Sequence, residues 1–226
     1  PYYLSDNGTL ETSPCPADKS SLSYDYDPKN PVPSIGGTIT SGEPVMTGGA
    51  FDKREEMRFF GSKPPYLPLA SRPDVLVFET APLAKPVEVT GPVEARLWIS
   101  SSCPDTDFTI KLVDVYPPGQ DYPQGFAMNI TDGILRVRYR NSWENPELMN
   151  EGKIYEILVR AFPTSNLFAK GHRIRLDISS SNYPHFDINP NTGEPEGKWL
   201  CSRTARNTVY MDRNRPSHII LPVITQ

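Results

Sequence analysis

Apolar and polar residues alternate with period two along most of the chain after residue 74. In PVEARLWISS, one face carries the small and branched apolar residues Val93, Ala95, Leu97 and Ile99. DFTIKLVDVYP repeats the pattern, and its apolar face carries Phe108, Ile110 and Leu112. Because successive side chains of a strand point to opposite faces, these segments are predicted to be β-strands with one face in the core.

Further strands are predicted in VLVFET, VEVTG, GILRVRYR, KIYEILVRAF, RIRLDIS, NTVYMD and HIILPVI, with NTVYMD as a partner of the last. Two of these alternations place charged residues on an outward face, namely Arg136, Arg138, Arg140 and Arg173, Arg175, Asp177. Turn residues such as Pro117-Pro118-Gly119 separate the strands. No segment predicts a long helix. About eight or nine strands favour an all-β fold of two packed antiparallel sheets, a jelly-roll β-sandwich.

The first 70 residues lack this periodicity and are rich in Pro, Gly, Ser and Asp. We predict an extended arm and linker over 1–70, with one edge strand near 37–41, and the jelly roll over 71–226. The arm also contains many aromatic residues, which disordered linkers lack, so it is expected to lie on a surface.

Net charge and cysteine spacing argue against several classes of function. A net charge of −4 over 226 residues provides no basic stripe for a nucleic acid or an anionic membrane. Cys15, Cys103 and Cys201 form no C-x-x-C pair and leave an odd thiol, so reduced cysteines are predicted, although a Cys15–Cys201 bridge stays open. Reduced cysteines favour a cytoplasmic location. The chain does not begin with Met, and we interpret it as a piece of a longer protein.

Motifs for hydrolytic or phosphate chemistry are missing from the sequence. There is no G-x-S-x-G, no H-E-x-x-H and no G-x-x-x-x-G-K-[ST]. We therefore predict that the segment alone is non-catalytic and carries neither cofactor nor metal.

Three weaker site candidates each have a structural alternative. Asp105 and Asp107 offer hard oxygen ligands for calcium, but strand-entry caps and turn bonds explain them better. His185, in NYPHFDINPNTG, belongs either to a loop that grips a sugar or protein or to a loop ordered by its own aromatics, the second being favoured. The three arginines of GILRVRYR could bind an acid, and solvent or salt bridges are the favoured alternative.

Several longer segments together resemble one known family. They are DVLVFETAPL, VEVTGPVEARLWISSSCPDTDFTIKLVDVYP, NITDGILRVRYR, PTSNLFAKGHRIRLDISSSNYPHFDINPNTG and PSHIILPVI. Over roughly residues 22–225 the chain resembles the C-terminal domain of X-Pro dipeptidyl-peptidase and cocaine-esterase-type (CocE/NonD) serine hydrolases. The combination of DTDFTIKLVDVYP, TSNLFAKGHRI and ISSSNYP is specific to that family.

The resemblance implies a galactose-binding-like jelly roll that follows an α/β-hydrolase domain and its helical cap. Those domains of the parent chain are the implied partners, and the Ser-Asp-His triad lies in them, so none of it maps here. The parent is implied to be a serine hydrolase acting on a small ester, amide or peptide by an acyl-enzyme route. This segment would stabilise the catalytic domain.

The family also implies one contact with the substrate pocket. The stretch after its Pro-x-x-G-G-T turn approaches the catalytic pocket, and Pro33-Ser34-Ile35-Gly36-Gly37-Thr38 matches that turn. Ile39, Thr40 and Ser41 would then form part of the acyl-pocket wall, the alternative being a mere edge strand. Thr40 and Ser41 are small and polar, which disfavours a tight aromatic pocket.

Two further expectations follow. A carbohydrate-binding module is the alternative function, although Trp98, Trp143 and Trp199 lie far apart in sequence and predict no aromatic platform for a sugar. Trp98 and the aromatic arm are expected to leave an apolar face where the hydrolase domain would pack, and self-association of the isolated domain would follow.

Overall fold

The computed structural model describes residues 1–37, 40–41 and 45–224. In this part of the chain the strands are β1 (Tyr2–Leu4), β2 (Leu10–Glu11), β3 (Ser21–Tyr26), β4 (Leu76–Glu79), β5 (Val87–Ser101), β6 (Asp107–Tyr116), β7 (Phe126–Arg136), β8 (Tyr155–Phe168), β9 (Arg173–Ser179), β10 (Ala205–Tyr210) and β11 (His218–Ile220). Two 3₁₀ helices span Leu69–Ser71 and Val137–Tyr139. Within the described ranges, no helix has the length and apolar composition needed to cross a membrane.

The strands form two antiparallel sheets, so the predicted β-sandwich is confirmed. The larger sheet has seven strands, and its hydrogen-bonded path is β2-β1-β11-β5-β10-β3. β11 and β10 pair with successive parts of one edge of β5, and β8 pairs along the opposite edge. β5 joins the predicted strands VEVTG and PVEARLWISS into one, with a register irregularity between Gly91 and Val93. The smaller sheet has four strands in the order β4-β9-β6-β7.

The core lies between the two sheets. The predicted inward residues of β5, Val93, Ala95, Leu97 and Ile99, are all fully buried, as are Phe108, Ile110 and Leu112 of β6. Period-two alternation therefore identified the core faces of both central strands.

One strand pairing and one strand boundary differ from the sequence-based expectation. NTVYMD was predicted to pair with the last strand, but β10 pairs with β5 and β3, whereas β11 pairs with β5 and β1. GILRVRYR was predicted to be one strand, but β7 ends at Arg136 and the chain turns into a 3₁₀ helix.

The segment predicted as an extended arm contributes strands to the larger sheet. β1 pairs with β11, β2 with β1, and β3 with β10. β3 also supplies Tyr24 and Tyr26 to the main core. Residues 1–26 are thus integral to the sandwich.

The rest of that segment covers the outer face of the four-stranded sheet. Val32, Ile35, Phe59, Leu69 and Val75 form a second, smaller apolar cluster, with Phe51 packed against it. This cover explains why the outward charges of β9 are not exposed: Arg175 and Asp177 are buried and bonded to each other. Arg175 and Asp177 thus lie on the predicted outward face of β9, but that face is covered by another part of the chain and not exposed to solvent.

Candidate functional site

The turn at 33–37 leads into the residues that the resemblance places beside an acyl pocket. Gly37 and Gly49 exchange two backbone hydrogen bonds, with N···O distances of 2.9 and 2.8 Å. They form an isolated antiparallel bridge at the first residue of the predicted edge strand. Ile39 lies outside the described residues, so its place in the pocket wall stays a prediction.

Thr40 and Ser41 are both exposed. The Thr40 hydroxyl donates to the carbonyl oxygen of Met46 at 2.8 Å, and the backbone N–H of Ser41 donates to the same oxygen at 3.2 Å. Met46 is itself buried. Two hydrogen bonds to the Met46 carbonyl therefore hold Thr40 and Ser41 in place, while both residues remain exposed on the surface.

Gly36 is required by the geometry of the turn. Its φ of +63° lies in the left-handed region, and a Cβ added there would lie 2.3 Å from the carbonyl oxygen of Gly49. That oxygen belongs to the Gly37–Gly49 bridge and cannot move aside without breaking it. The first glycine of the Pro-x-x-G-G-T turn is thus fixed by backbone packing.

The loop containing His185 packs directly against this turn. Ser34 N–H donates to the Tyr183 carbonyl at 2.7 Å, and Tyr183 N–H donates to the Val32 carbonyl at 2.9 Å. The Ser34 hydroxyl donates to Asn182 Oδ1 at 3.0 Å and accepts from the backbone N–H of His185 at 3.2 Å. Two segments about 150 residues apart are therefore held as one unit.

His185 is engaged within its own loop and with β7. Its Nδ1 lies 3.3 Å from Asp132 Oδ1, and its ring stacks on Phe186 with centroids 4.2 Å apart. Burial alone would raise the pKa of Asp132, but the hydrogen bond from His185 and the charge of Lys111 together lower it. These contacts agree with a loop ordered by its own side chains.

A layer of buried charges lies beneath the turn. On the outer face of the four-stranded sheet, Lys111 of β6 is the cross-strand partner of Asp132 on β7 and of Asp177 on β9. All three are buried. Lys53, from the covering segment, is also buried and donates from Nζ to the carbonyl oxygen of Ile35. Lys53 thereby ties the 33–37 turn to the sheet.

Burial lowers the pKa of Lys53 to about 7. Repulsion from Lys111 acts in the same direction, while Asp132 and Asp177 oppose it. The ammonium group of Lys53 is therefore much more acidic in the folded chain than in water.

We predict a pH dependence of stability from this lysine. An unfolded lysine keeps its proton to about pH 10, so between about pH 7 and 10 the unfolded chain binds more protons than the folded one. The free energy of unfolding should then rise with pH, by at most about 1.4 kcal/mol per pH unit from Lys53. Urea unfolding at several pH values in that window measures the slope, and Lys53→Met should reduce it. Lys170→Met, at an exposed lysine, should keep it; equal slopes for wild type and Lys53→Met would refute the assignment.

Arg136, Arg138 and Arg140 were predicted to lie on an exposed face, and that prediction is wrong. Side-chain exposure is 20% for Arg136, 7% for Arg138 and 6% for Arg140. Arg136 pairs with Asp107 at 3.1 Å, Arg138 with Asp105 at 2.8 Å and Arg140 with Glu147 at 3.3 Å. The alternation fails because the 3₁₀ helix after Arg136 turns the following side chains inward.

Asp105 and Asp107 act as structural acceptors, the role that the sequence analysis favoured. Both are fully buried, and Asn189 Nδ2 donates to each of them, at 2.9 and 2.7 Å. Arg138 bonds Asp105 through its backbone N and its Nε. Burial raises the pKa of Asp107 to about 6, against the opposing charge of Arg136. Arginine and asparagine groups thus occupy the carboxylate oxygens that a calcium ion would need.

The two remaining histidines, Trp98 and the cysteines form no cluster in the part of the chain that the structure describes. The His172 ring contacts Asp114 at 2.8 Å, and the His218 ring contacts the Pro216 carbonyl at 2.8 Å. Trp98 is half-buried rather than fully outward. All three cysteines are free thiols.

Comparison with known proteins places this fold in a family. Residues 1–220 match the family model described as the X-Pro dipeptidyl-peptidase C-terminal non-catalytic domain. The match includes β1–β3, which agrees with their pairing in the larger sheet.

Individual relatives point the same way. Cocaine esterase from Rhodococcus sp. is 41% identical over 99% of this chain, which corresponds to 37% of the esterase. An aminopeptidase from a marine sediment Thaumarchaeota archaeon superposes with a TM-score of 0.85 at 29% identity, over 99% of this chain and 36% of that one. An α-amino acid ester hydrolase superposes with a TM-score of 0.82 at 29% identity, with the same coverage.

The chain thus spans just over a third of the length of these relatives. The family model covers nearly all of it, and the esterase is similar from end to end of the segment. This chain therefore belongs to the X-Pro dipeptidyl-peptidase C-terminal non-catalytic domain family, as found in CocE/NonD-type hydrolases.

Proposed function

We propose that this domain packs on the α/β-hydrolase and cap domains of a parent serine hydrolase and forms part of the wall of its acyl pocket. The observation that carries the proposal is the match of residues 1–220 to a domain described as non-catalytic, at just over a third of the length of its relatives. The chemistry would then reside in the parent, on a small ester, amide or peptide, and this domain would supply stability and shape.

The arrangement around the 33–37 turn supports the wall role. The turn is bonded to the loop at 182–185 on one side and to Lys53 on the other. It carries Thr40 and Ser41 outward beyond these anchors. The wall of a substrate pocket needs such a rigid base, because a misplacement of the substrate by about 1 Å can lower the reaction rate about 100-fold.

Phenylalanine substitution at Thr40 or Ser41 in the parent enzyme tests the wall role. Each change adds bulk to the acyl side of the pocket, and one or two buried methylenes alter discrimination by roughly 1–3 kcal/mol. The ratio of kcat/KM between large and small acyl groups should therefore change about 10-fold or more. Thr90→Phe, at an exposed position of β5, is the matched control. An unchanged ratio in both folded variants would reduce Thr40 and Ser41 to a surface turn.

The non-catalytic role predicts no chemistry from the chain alone. Turnover of a small activated ester by this chain should equal that of a matched protein blank, because among the described residues no serine hydroxyl is hydrogen-bonded to a histidine ring that could take its proton. A fluorophosphonate probe should not label it, as followed by mass spectrometry of the intact chain. Stoichiometric labelling of any residue would contradict the proposal.

Packing against other domains predicts self-association of the isolated chain. Met57 and Leu200 are 87% and 92% exposed, and Phe60 and Trp199 are about half exposed. We expect these side chains to belong to the surface that packs on the other domains of the parent, because contiguous exposed apolar patches mark interaction sites. Light scattering at high protein concentration should give a mass above the 25.3 kDa of one chain. A strict monomer that binds no hydrophobic dye would count against this packing surface.

A further inference from the structure

Beside the 182–187 loop lie two adjoining cavities that the sequence did not predict. Their volumes are about 380 and 470 Å³, and both are lined by Arg136, Asp187 and Glu196. Trp143 lines the smaller cavity and Trp199 the larger. The fold therefore brings together two tryptophans that are far apart in sequence. We call the smaller cavity the aromatic cleft.

Exposed π-surface forms the walls of the aromatic cleft. Tyr139 and Trp143 stack with ring centroids 5.8 Å apart at 20°. Trp143 is nevertheless 72% exposed. Phe186 lines the cleft too, held by its stack on His185. Three rings from two separate loops thus surround a space large enough for a small organic group.

The polar lining of the cleft is acidic. Asp107, Asp187 and Glu196 line it together with a single cation, Arg136. Arg136 is already committed, with Nε and Nη2 bonded to Asp107 and Nη1 bonded to Glu196 at 2.8 Å. Among the described residues, none makes a hydrogen bond or ion pair with the exposed carboxylate of Asp187. The cleft therefore has excess negative charge and an available acceptor beside the aromatic rings.

We propose that the aromatic cleft binds a cationic group on an aliphatic stem, an alkylammonium or an alkylguanidinium. The charged head would bond to Asp187, and the stem would lie against Trp143 and Phe186. Aromatic faces attract cations, and an adjacent carboxylate makes the hydrogen bonds charge-assisted. A neutral sugar fits less well, because its hydroxyls need donors as well as acceptors, and the donors of Arg136 already have acidic partners.

Such a group has two sources with the same chemistry. One is a lysine or arginine side chain from another part of the parent polypeptide, and the other is a free amine. The cleft itself is tested with the chain alone and does not depend on the proposed acyl-pocket wall.

The first experiment titrates this chain with n-butylammonium and n-butylguanidinium and follows the Trp143 indole N–H by NMR, assigned with Trp143→Phe. We expect a saturable shift at millimolar concentrations that Asp187→Asn weakens about 10-fold. Asp121→Asn, in an exposed loop, should leave it unchanged. n-Butanol, which has the stem without the charge, should not produce the shift.

Three results would overturn the inference: no saturable shift with either cation, equal binding by wild type and Asp187→Asn, or a shift with methyl β-galactoside at lower concentration than with the cations. The last would identify a sugar site instead. Retention of the fold in Asp187→Asn is checked from its dispersed amide spectrum.

The second experiment identifies the source, using the intact parent enzyme and a zero-length carbodiimide. A cross-linked peptide joining Asp187 to a lysine of the parent would identify an internal side chain as the occupant. If Asp187 instead stays uncross-linked and n-butylammonium still binds at the cleft, a free amine is the ligand. An arginine is not coupled by a carbodiimide, so its presence is tested by Asp187→Asn, which should then lower the unfolding midpoint of the parent. A parent in which n-butylammonium does not bind, no lysine is cross-linked to Asp187 and Asp187→Asn leaves the midpoint unchanged would reject the proposal.

Discussion

Arg138→Ala is expected to lower the free energy of unfolding by about 3–5 kcal/mol, the range found when one partner of a buried ion pair is removed. Arg138 bonds Asp105 through its backbone N at 3.0 Å and its Nε at 2.8 Å, and its Nη1 donates to the Glu194 carbonyl at 3.0 Å. Removing the guanidinium leaves the fully buried Asp105 with an uncompensated charge. Urea unfolding at pH 7, followed by circular dichroism, measures the loss.

Arg206→Ala provides the matched control. Arg206 pairs with Asp25 at 3.4 Å, but both side chains are more than half exposed. An exposed pair contributes about 1 kcal/mol or less, so this variant should unfold close to the wild type. If Arg138→Ala and Arg206→Ala lose the same small amount, Arg138 is in contact with water in solution and the buried pair is not formed.

Gly133→Ala is expected to cost about 3 kcal/mol or more, or to prevent folding, because overpacking against backbone cannot be relieved by a rotamer change. A Cβ at Gly133 would lie 2.0 Å from the carbonyl oxygen of Arg160 and 2.7 Å from Cα of Ala161. Both contacts belong to the backbone of β8. β7 and β8 belong to different sheets, so an added methyl group would force the two sheets apart at this point.

Gly119→Ala separates this effect from the general cost of replacing a glycine. A Cβ at Gly119 would meet only the Pro117 carbonyl oxygen, at an ordinary 3.9 Å. Its thermal unfolding midpoint should stay near that of the wild type, whereas that of Gly133→Ala should fall by many degrees. A Gly133→Ala protein as stable as Gly119→Ala would mean that the sheets are further apart at this point.

The sequence predicted the inner faces of the sandwich well, for a local reason. Val93, Leu97 and Ile99 are separated by even numbers of positions, and that spacing alone determines that they share a face. Their burial then follows from the apolar character of the face. The sandwich fold required no knowledge of distant contacts.

The outer face of the smaller sheet could not be predicted in this way. Asp177 looks like a solvent-facing residue, and its burial depends on a cover formed by residues about 100 or more positions earlier. The described residues of that cover form no strand between β3 and β4 apart from isolated bridges, so strand periodicity in the sequence could not reveal it. The same cover contains Lys53, which no motif singles out.

The candidate site was predicted in part. The resemblance directed attention to the turn before Thr40, and the structure shows how that turn is held. The sequence contained no signal that the loop of His185 packs against Ser34, because this contact joins segments 151 positions apart. Trp143 and Phe186 likewise line one cavity, although they are 43 positions apart in the sequence and lie in separate connections between strands.

The pairing of the outermost strands has a consequence for synthesis on the ribosome. β1 pairs with β11, so Tyr2 finds its partner only in Ile219. Folding to the complete seven-stranded sheet must therefore wait until nearly the whole domain has emerged, and contacts of such sequence separation make folding slow. Until then the exposed edge of β1 can pair with other chains. Nascent copies of this domain should accordingly depend on chaperone protection more than the finished sandwich does.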